Sequence, residues 1–499
     1  MKKILSIIAI LSAFACVNAE ILMPRVFSDY MVLQREMPVK IWGKAEMNAS
    51  VKVEFAGKAK EAKADAQGNW ALHLDKMPAN ANNQAMKVYE NGTLSKEFKD
   101  ILIGEVWIAG GQSNMDRTFA SDKLADGLGK RATNPMMRAF LQTVPLWKGC
   151  NPIKDKEDLT PNFDTPKGSM WNLTTEAIVP SYSQVAFYFA EKLIEELGVP
   201  VGIVQTSLGG SKMISWIAKE DLKGTESFVE GLKTFENDMA KFDPSKVDEP
   251  KPANTKNPRN IKEPKGIGWY RESPALMYNT KIAPIVGFTA RGFIWYQGES
   301  DAAAPDFFAM FESVINNWRK YWNVRDMPFY AVQLASFENK NDWANVRWQQ
   351  YLVGEKLDDV EVLINIDTGV ENNIHPTDKD IVGARLANLA LAETYDIDRF
   401  EDYVSPTIDE VEYKGNTVEV EFDTESDLKL VGNFRGFEVF VDNAWQNASL
   451  VELKADKIVL KGNGEILGVR YLWKSWAKPD ACLYNKFDLP AMSFIDLKK

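Results

Sequence analysis

The chain has 499 residues, 45% of them apolar and 26% charged, which is ordinary for a soluble globular protein and too long for one domain, so two or three are expected. A net charge of −11 and the lack of any basic cluster argue against nucleic acid as a partner. There are only two histidines, His73 and His375, and neither stands in metal-ligand spacing, so no metal and no other cofactor are expected.

In chain order, "MKKILSIIAILSAFACVNAE" opens with Lys2 and Lys3, continues through a short apolar run and reaches the A-x-A-like Val17-Asn18-Ala19. The run is too short to span a bilayer. It reads as a signal peptide, residues 1–19, which implies secretion, into the periplasm if the source is bacterial. Cys16 raises a lipoprotein reading, but Ala13-Phe14-Ala15 poorly matches a Leu-led lipobox. Cleavage after Ala19 leaves a mature charge of about −13 and two cysteines, Cys150 and Cys482; the compartment permits a disulfide, and sequence cannot say whether they meet.

Residues 20–99 alternate in short runs such as "MPVKIWGKA" and "SVKVEFAG", separated by Gly and Asn turns, which predicts a small antiparallel, sandwich-like β-domain. His73 falls on one of these strands, as a half-buried structural residue. In residues 100–403 the texture changes. Continuous apolar runs ("ILIGEVWIAG", "VPVGIVQTS", "ARGFIWYQ", "MPFYAVQLAS", "VEVLINID") alternate with amphipathic stretches, predicting an α/β domain with a parallel sheet covered on both faces. Residues 219–265 form a charged insertion, helical and then loop-like. Short alternating strands return in residues 404–499, as a second β-domain.

In an open parallel sheet, sites form at the carboxyl ends of the strands. Those ends are Gln112-Ser113-Asn114, the turn "TSLGGSKMISW" with Gly209 and Gly210, "WYQGESD" with Gln297, Glu299 and Asp301, and the segment "DTGVENNIHPTDK" with His375. Taken alone, Ser113 is an ordinary helix N-cap and His375 an ordinary loop residue. If an imidazole activates a serine here, the base must be His375.

The motifs "GQSNM", "GG" before "SW", "WYQGES" and "IHP…K…VGARLA", together with "FSDYMVLQREMPVKIWGKA", "SPALMYNTKIAPIVGF" and "CLYNKFDLPAMSF", resemble the SGNH/GDSL hydrolases of the sialate O-acetylesterase type. The resemblance covers nearly the whole mature chain. It implies a flavodoxin-like, three-layer SGNH hydrolase domain flanked by the two β-domains. It also implies a secreted serine esterase that removes O-acetyl groups from sugars through an acetyl-enzyme. Ser113 would be the nucleophile and His375 the base. The oxyanion would be held by the N–H groups of Ser113 and Gly210 or Gly209, and by the Gln297 amide, because ionised Glu299 and Asp301 cannot donate. Glu299 and Asp301 read as ties from their loop to neighbouring amides or to Arg291.

The chain departs from the SGNH pattern at one point: where an Asp usually stands three residues before the histidine, it has Asn372. A Ser–His dyad with Asn372 as a neutral orienter is the favoured reading; Glu371 or a distant carboxylate are the alternatives. Asp367 reads as a structural strand-end residue. Among residues that would bind substrate, Arg117 is placed to meet a carboxylate, and Trp216 is one of several tryptophans (with Trp107, Trp147, Trp171, Trp269 and Trp295) able to face a sugar, although most are expected in the core. Two other readings stand beside this one: a hemicellulose (xylan or xyloglucan) acetylesterase, and a carbohydrate-binding protein on a decayed esterase fold.

Overall fold

The computed structural model describes residues 21–142, 168–240, 271–400 and 402–498. The expected signal peptide, Cys16, Cys150, Trp147, Trp269 and residues 241–265 of the charged insertion lie outside the described residues.

The protein is a mixed α/β molecule built on a mostly parallel sheet. Across the sheet the strands run Val360–Leu363, Phe329–Val332, Gly292–Tyr296, Thr93–Gly111, Val201–Gln205, Asn134–Leu141 and Met170–Thr174. All neighbouring pairs are parallel except the last. Apart from the outer pair at 134–141 and 170–174, the order in chain numbering is 2-1-3-4-5, the flavodoxin-type arrangement.

The apolar runs that become Val201–Gln205, Gly292–Tyr296 and Phe329–Val332 are buried along their whole length because both faces of the sheet are covered there. One strand shows this directly. Trp107 packs edge-on against Phe189 of the helix Gln184–Leu197. Gly110, three residues on and facing the other way, is so close to Trp318 of the helix Phe307–Trp322 that a Cβ there would lie 2.7 Å from the indole. The first face also carries the helix Lys379–Glu393, packed on Gln184–Leu197, and the helix Trp343–Lys356 packs against Phe307–Trp322. In the charged insertion the described part forms the helix Glu226–Ala240.

The N-terminal strands pair mostly antiparallel, and the alternation in Asn69–Leu74 points Trp70, Leu72 and Leu74 inward. His73 falls on the other face and is exposed, not half-buried, because it lies out of phase with those apolar residues. These strands have no core of their own. Val26, Phe27 and Met31 belong to the same apolar cluster as Trp107 and Trp295, and Phe27 packs against both Trp42 and Phe288. The strand Thr93–Gly111 itself passes from the N-terminal sheet into the central one, with a left-handed residue, Asp100 (φ 56°), at the crossing. The C-terminal segment differs: two four-stranded antiparallel sheets enclose a separate cluster that includes Val420, Phe437, Val439, Ile458, Tyr471 and Phe494. Among the described residues, no helix is long and apolar enough to cross a membrane.

One buried charge braces the sheet where its strands begin. Glu105, fully buried, accepts from Gln34 Nε2 at 2.9 Å, Arg35 Nε at 2.5 Å and Arg291 Nε at 2.9 Å. Burial pushes its carboxyl up, but Arg291 and Arg35 outweigh that and hold it below the ordinary range. Glu105→Ala leaves both guanidinium groups facing each other unpaired. It is expected to destabilise the protein by about 3 kcal/mol, read as a lower urea midpoint at unchanged slope; a loss below about 1 kcal/mol would show that the brace is dispensable.

Candidate active site

The strand Thr93–Gly111 ends flush against its neighbour. Gly111 has φ 126°, and a Cβ there would lie 2.3 Å from the Tyr296 carbonyl oxygen, so only glycine fits. Gln112 N–H then donates to that same oxygen at 3.0 Å, and its side-chain carbonyl accepts from Ser300 N–H at 3.1 Å. With the turn fixed at both ends, Ser113 starts the short helix Ser113–Asp116 at the carboxyl edge of the sheet, part-exposed.

His375 arrives there from the loop before the helix Lys379–Glu393. Its Nε2 lies 2.8 Å from Ser113 Oγ. In the tautomer protonated on Nδ1, Nε2 accepts the serine hydroxyl proton. Burial pushes the imidazole below the ordinary histidine value, and the cations of Arg117 and Lys379 push the same way, so the ring is neutral at pH 7 and able to take a proton.

The expected orienters do not reach the ring. Glu371 and Asn372 are exposed, and neither hydrogen-bonds the imidazole. The local ties are made by their neighbours. Asn373 Oδ1 accepts the His375 backbone N–H at 3.0 Å, and the Ile374 carbonyl accepts from Asn114 Nδ2 at 3.0 Å. No described residue takes a hydrogen bond from His375 Nδ1.

The glycine turn lies against the serine, and a Cβ built on Gly209 would come within 3.4 Å of Ser113 Cβ. Gly209 N–H is already directed at Asp116 Oδ2, at 3.3 Å, and Ser207 Oγ bonds the other oxygen of the same carboxylate. That removes Gly209 from the expected oxyanion donors and leaves the N–H groups of Ser113 and Gly210, neither of which bonds another described residue. Gln297 also departs from its expected role. Its amide nitrogen donates to Asp301 Oδ2 at 2.5 Å and meets the Ser211 carbonyl at 3.4 Å, because Asp301 is buried and needs donors. Asp301 accepts from Met213 N–H as well, and burial pushes its carboxyl up to about 6.

Trp216 is fully buried, its indole bonded to Ser211 Oγ and packed on Trp295 and Trp318, so it offers no face to a sugar. Trp107, Trp171 and Trp295 are equally buried. Arg117 is held by Asp122, which Gln184 also bonds. Glu299 is bonded by Asn114, whereas Arg291 goes to Glu105; Asp367 pairs with Arg385 at 2.7 Å. Among the described residues, no group of three or more His, Cys, Asp or Glu is placed to hold a metal ion.

Sequence reasoning passed over Asp116, which shapes the glycine turn, and the joint role of Asn114 and Lys379. Asn114 Oδ1 accepts from Lys379 Nζ at 2.6 Å, and burial pushes that ammonium down to about 7. Asn114 was visible only as part of "GQSNM", since its partners stand at least 185 positions away.

The comparisons point to one class of enzyme. The family model described as carbohydrate esterase, sialic acid-specific acetylesterase, matches residues 267–392, a stretch that holds Glu299, His375 and Lys379 but not Ser113. The chain is 26% identical to mouse sialate O-acetylesterase over 94% of this chain and 92% of the relative, and 24% identical to the human one over 93% and 90%. A solved carbohydrate acetylesterase from Xanthomonas citri superposes with TM-score 0.78 at 27% identity, over 95% of this chain and 99% of that one. The chain is therefore an esterase similar to the sialate O-acetylesterases.

A pH profile tests the electrostatics. A proton-accepting His375 loses function as pH falls through its value, and Arg117 holds that value down. Arg117→Gln removes the cation and leaves Asp122 less compensated, and both changes favour the imidazolium. The acid limb of kcat/KM for a simple acetate ester is expected to move to higher pH; a limb that stays put, or moves lower, would show that Arg117 does not act on His375.

Proposed function

We propose that the protein is an SGNH-type serine esterase that hydrolyses O-acetyl esters on sugars and releases acetate. The observation that carries this reading is the 2.8 Å pairing of Ser113 Oγ with His375 Nε2, at the strand ends of a parallel sheet, where ligands of such sheets bind. Ser113 attacks the ester carbonyl as His375 takes its proton. The tetrahedral oxyanion is met by the N–H groups of Ser113 and Gly210, and the carbonyl re-forms as His375 returns the proton to the departing sugar hydroxyl. Water, activated by the same imidazole, then cleaves acetyl-Ser113.

The dyad works without an orienting carboxylate because the base only needs to be neutral and aimed. Burial and two cations supply the neutrality. The acylated sugar is the partner, no metal is assigned a part, and residues 1–19 are read as an export signal, which puts the enzyme outside the cytoplasm. The names of the relatives favour sialic acids as the sugar.

The test is acetate release by the purified protein from O-acetylated sialic acids and from acetylated xylan oligosaccharides. Ser113→Ala is expected to lose activity by on the order of 10⁴-fold or more, and a serine-directed covalent probe is expected to label the parent protein and not the variant. Undiminished hydrolysis by Ser113→Ala would overturn the mechanism. Release from xylan fragments alone would keep the chemistry and replace the sugar.

A further inference from the structure

Asn114 follows Ser113, and its Nδ2 donates at 3.0 Å to the carbonyl of Ile374, the residue before His375. A single buried amide therefore joins the chain just after the hydroxyl to the chain just before the imidazole. We propose that Asn114, braced by Lys379 and Glu299, is the positioning residue that holds the His375 imidazole against Ser113, a task that falls to a carboxylate in enzymes with a full triad. This rests on reading Ser113 and His375 as the catalytic pair.

With no described partner on Nδ1, the direction of the ring follows from how its backbone is pinned. Two hydrogen bonds pin it. The one from His375 N–H to Asn373 Oδ1 is local and solvent-exposed, so it shapes the turn without tying it to the sheet. The bond from Asn114 is the tie to the Ser113 turn.

That tie works only if the amide presents its nitrogen to Ile374, and the two flanking charges decide which way it faces. In their charged forms Lys379 only donates and so faces Oδ1, and Glu299 only accepts and so faces Nδ2. A reversed amide would set like against like at both ends. Lys379 is the first residue of its helix and Glu299 stands in the loop after the strand Gly292–Tyr296, so the clamp gathers three elements around one side chain. Asn114 is 3% exposed and Lys379 fully buried, which shields these bonds from water.

The presence of only two histidines makes the ring itself a clean reporter, with exposed His73 as an internal reference. For Asn114→Ala, kcat on a small acetate ester is expected to fall about 100-fold with KM within about twofold. The His375 NMR titration should move toward that of an ordinary histidine as the ring enters water. Lys379→Gln keeps a donor for Asn114 Oδ1 and Lys379→Met does not. Both lose the same charge, so higher kcat in the Gln variant isolates the hydrogen bond and decides the matter even if Asn114→Ala fails to fold. The proposal is overturned by a folded Asn114→Ala at full kcat, by one that loses thermal stability while His375 titrates unchanged, or by equal kcat in the two Lys379 variants. Ser113→Ala, run alongside, separates the two levels. If it stays active the esterase mechanism falls; if it is dead while Asn114→Ala is not, only the positioning role falls.

Discussion

The site depends on a steric constraint at Gly111. The strand Thr93–Gly111 has to turn out of the sheet within contact of Tyr296, and there is no room for a side chain at the bend. Because Gln112 then bonds both the Tyr296 carbonyl and Ser300 N–H, the turn cannot slide along its neighbour, and Ser113 has one position. The same strand is anchored at Glu105, whose two arginine partners come from the N-terminal segment and from the residue before the next strand. One continuous piece of backbone thus carries both the brace and the hydroxyl, which places the serine relative to the whole sheet and not to a mobile loop.

Electrostatics around the pair have an unusual sign for a site with no carboxylate on the imidazole among the described residues. The charges that act on His375, Arg117 and Lys379, are cationic, and they add to burial in disfavouring imidazolium. In the proposed mechanism that favours the resting base and works against the protonated ring formed as the serine attacks. In that mechanism the negative charge developing on the substrate oxygen would lie in the same cationic field, so the ion pair of the transition state would be partly compensated as a whole. An enzyme arranged this way gives up some stabilisation of the histidine in exchange for a base that takes up a proton from solvent less readily than an ordinary histidine.

Much of this was legible in the sequence, and the failures have physical causes. Continuous apolar runs marked the buried parallel strands because few polar groups are tolerated between two covered faces, and four polar strand ends marked one edge where Ser113, Gly209 and His375 do meet. How the N-terminal β-segment packs could not be read: alternation in residues 20–99 suggests a small domain, and only the structure shows Phe27 against both Trp42 and Phe288 of the α/β part. Gln297 has the chemistry of an oxyanion donor, but hydrogen-bond competition from buried Asp301 is a three-dimensional fact. Trp216 follows a glycine turn at the site yet folds inward, since an indole gains more from Trp295, Trp318 and Ser211 than from water. The residue before the imidazole reports nothing in sequence about Asn114, 260 positions away.

The Lys379–Asn114–Glu299 cluster is an expensive way to build a core. Removing a lysine and a glutamate from water costs about several kcal/mol for each ion, even with good partners, and well-packed apolar residues of similar size often do as well or better for stability. The cluster's charges do not touch each other: each ends on the amide of Asn114, where the direct attraction of a salt bridge is traded for control of the amide's orientation. A stabilising ion pair would instead place Lys379 on Glu299 and leave Asn114 free to turn. Burial that lowers the ammonium to about 7 and raises the carboxyl points the same way, because both charged forms are held under strain by their surroundings. What this arrangement secures is direction, a fixed N–H aimed at the backbone that carries His375, and direction is what an imidazole with no described partner on Nδ1 lacks.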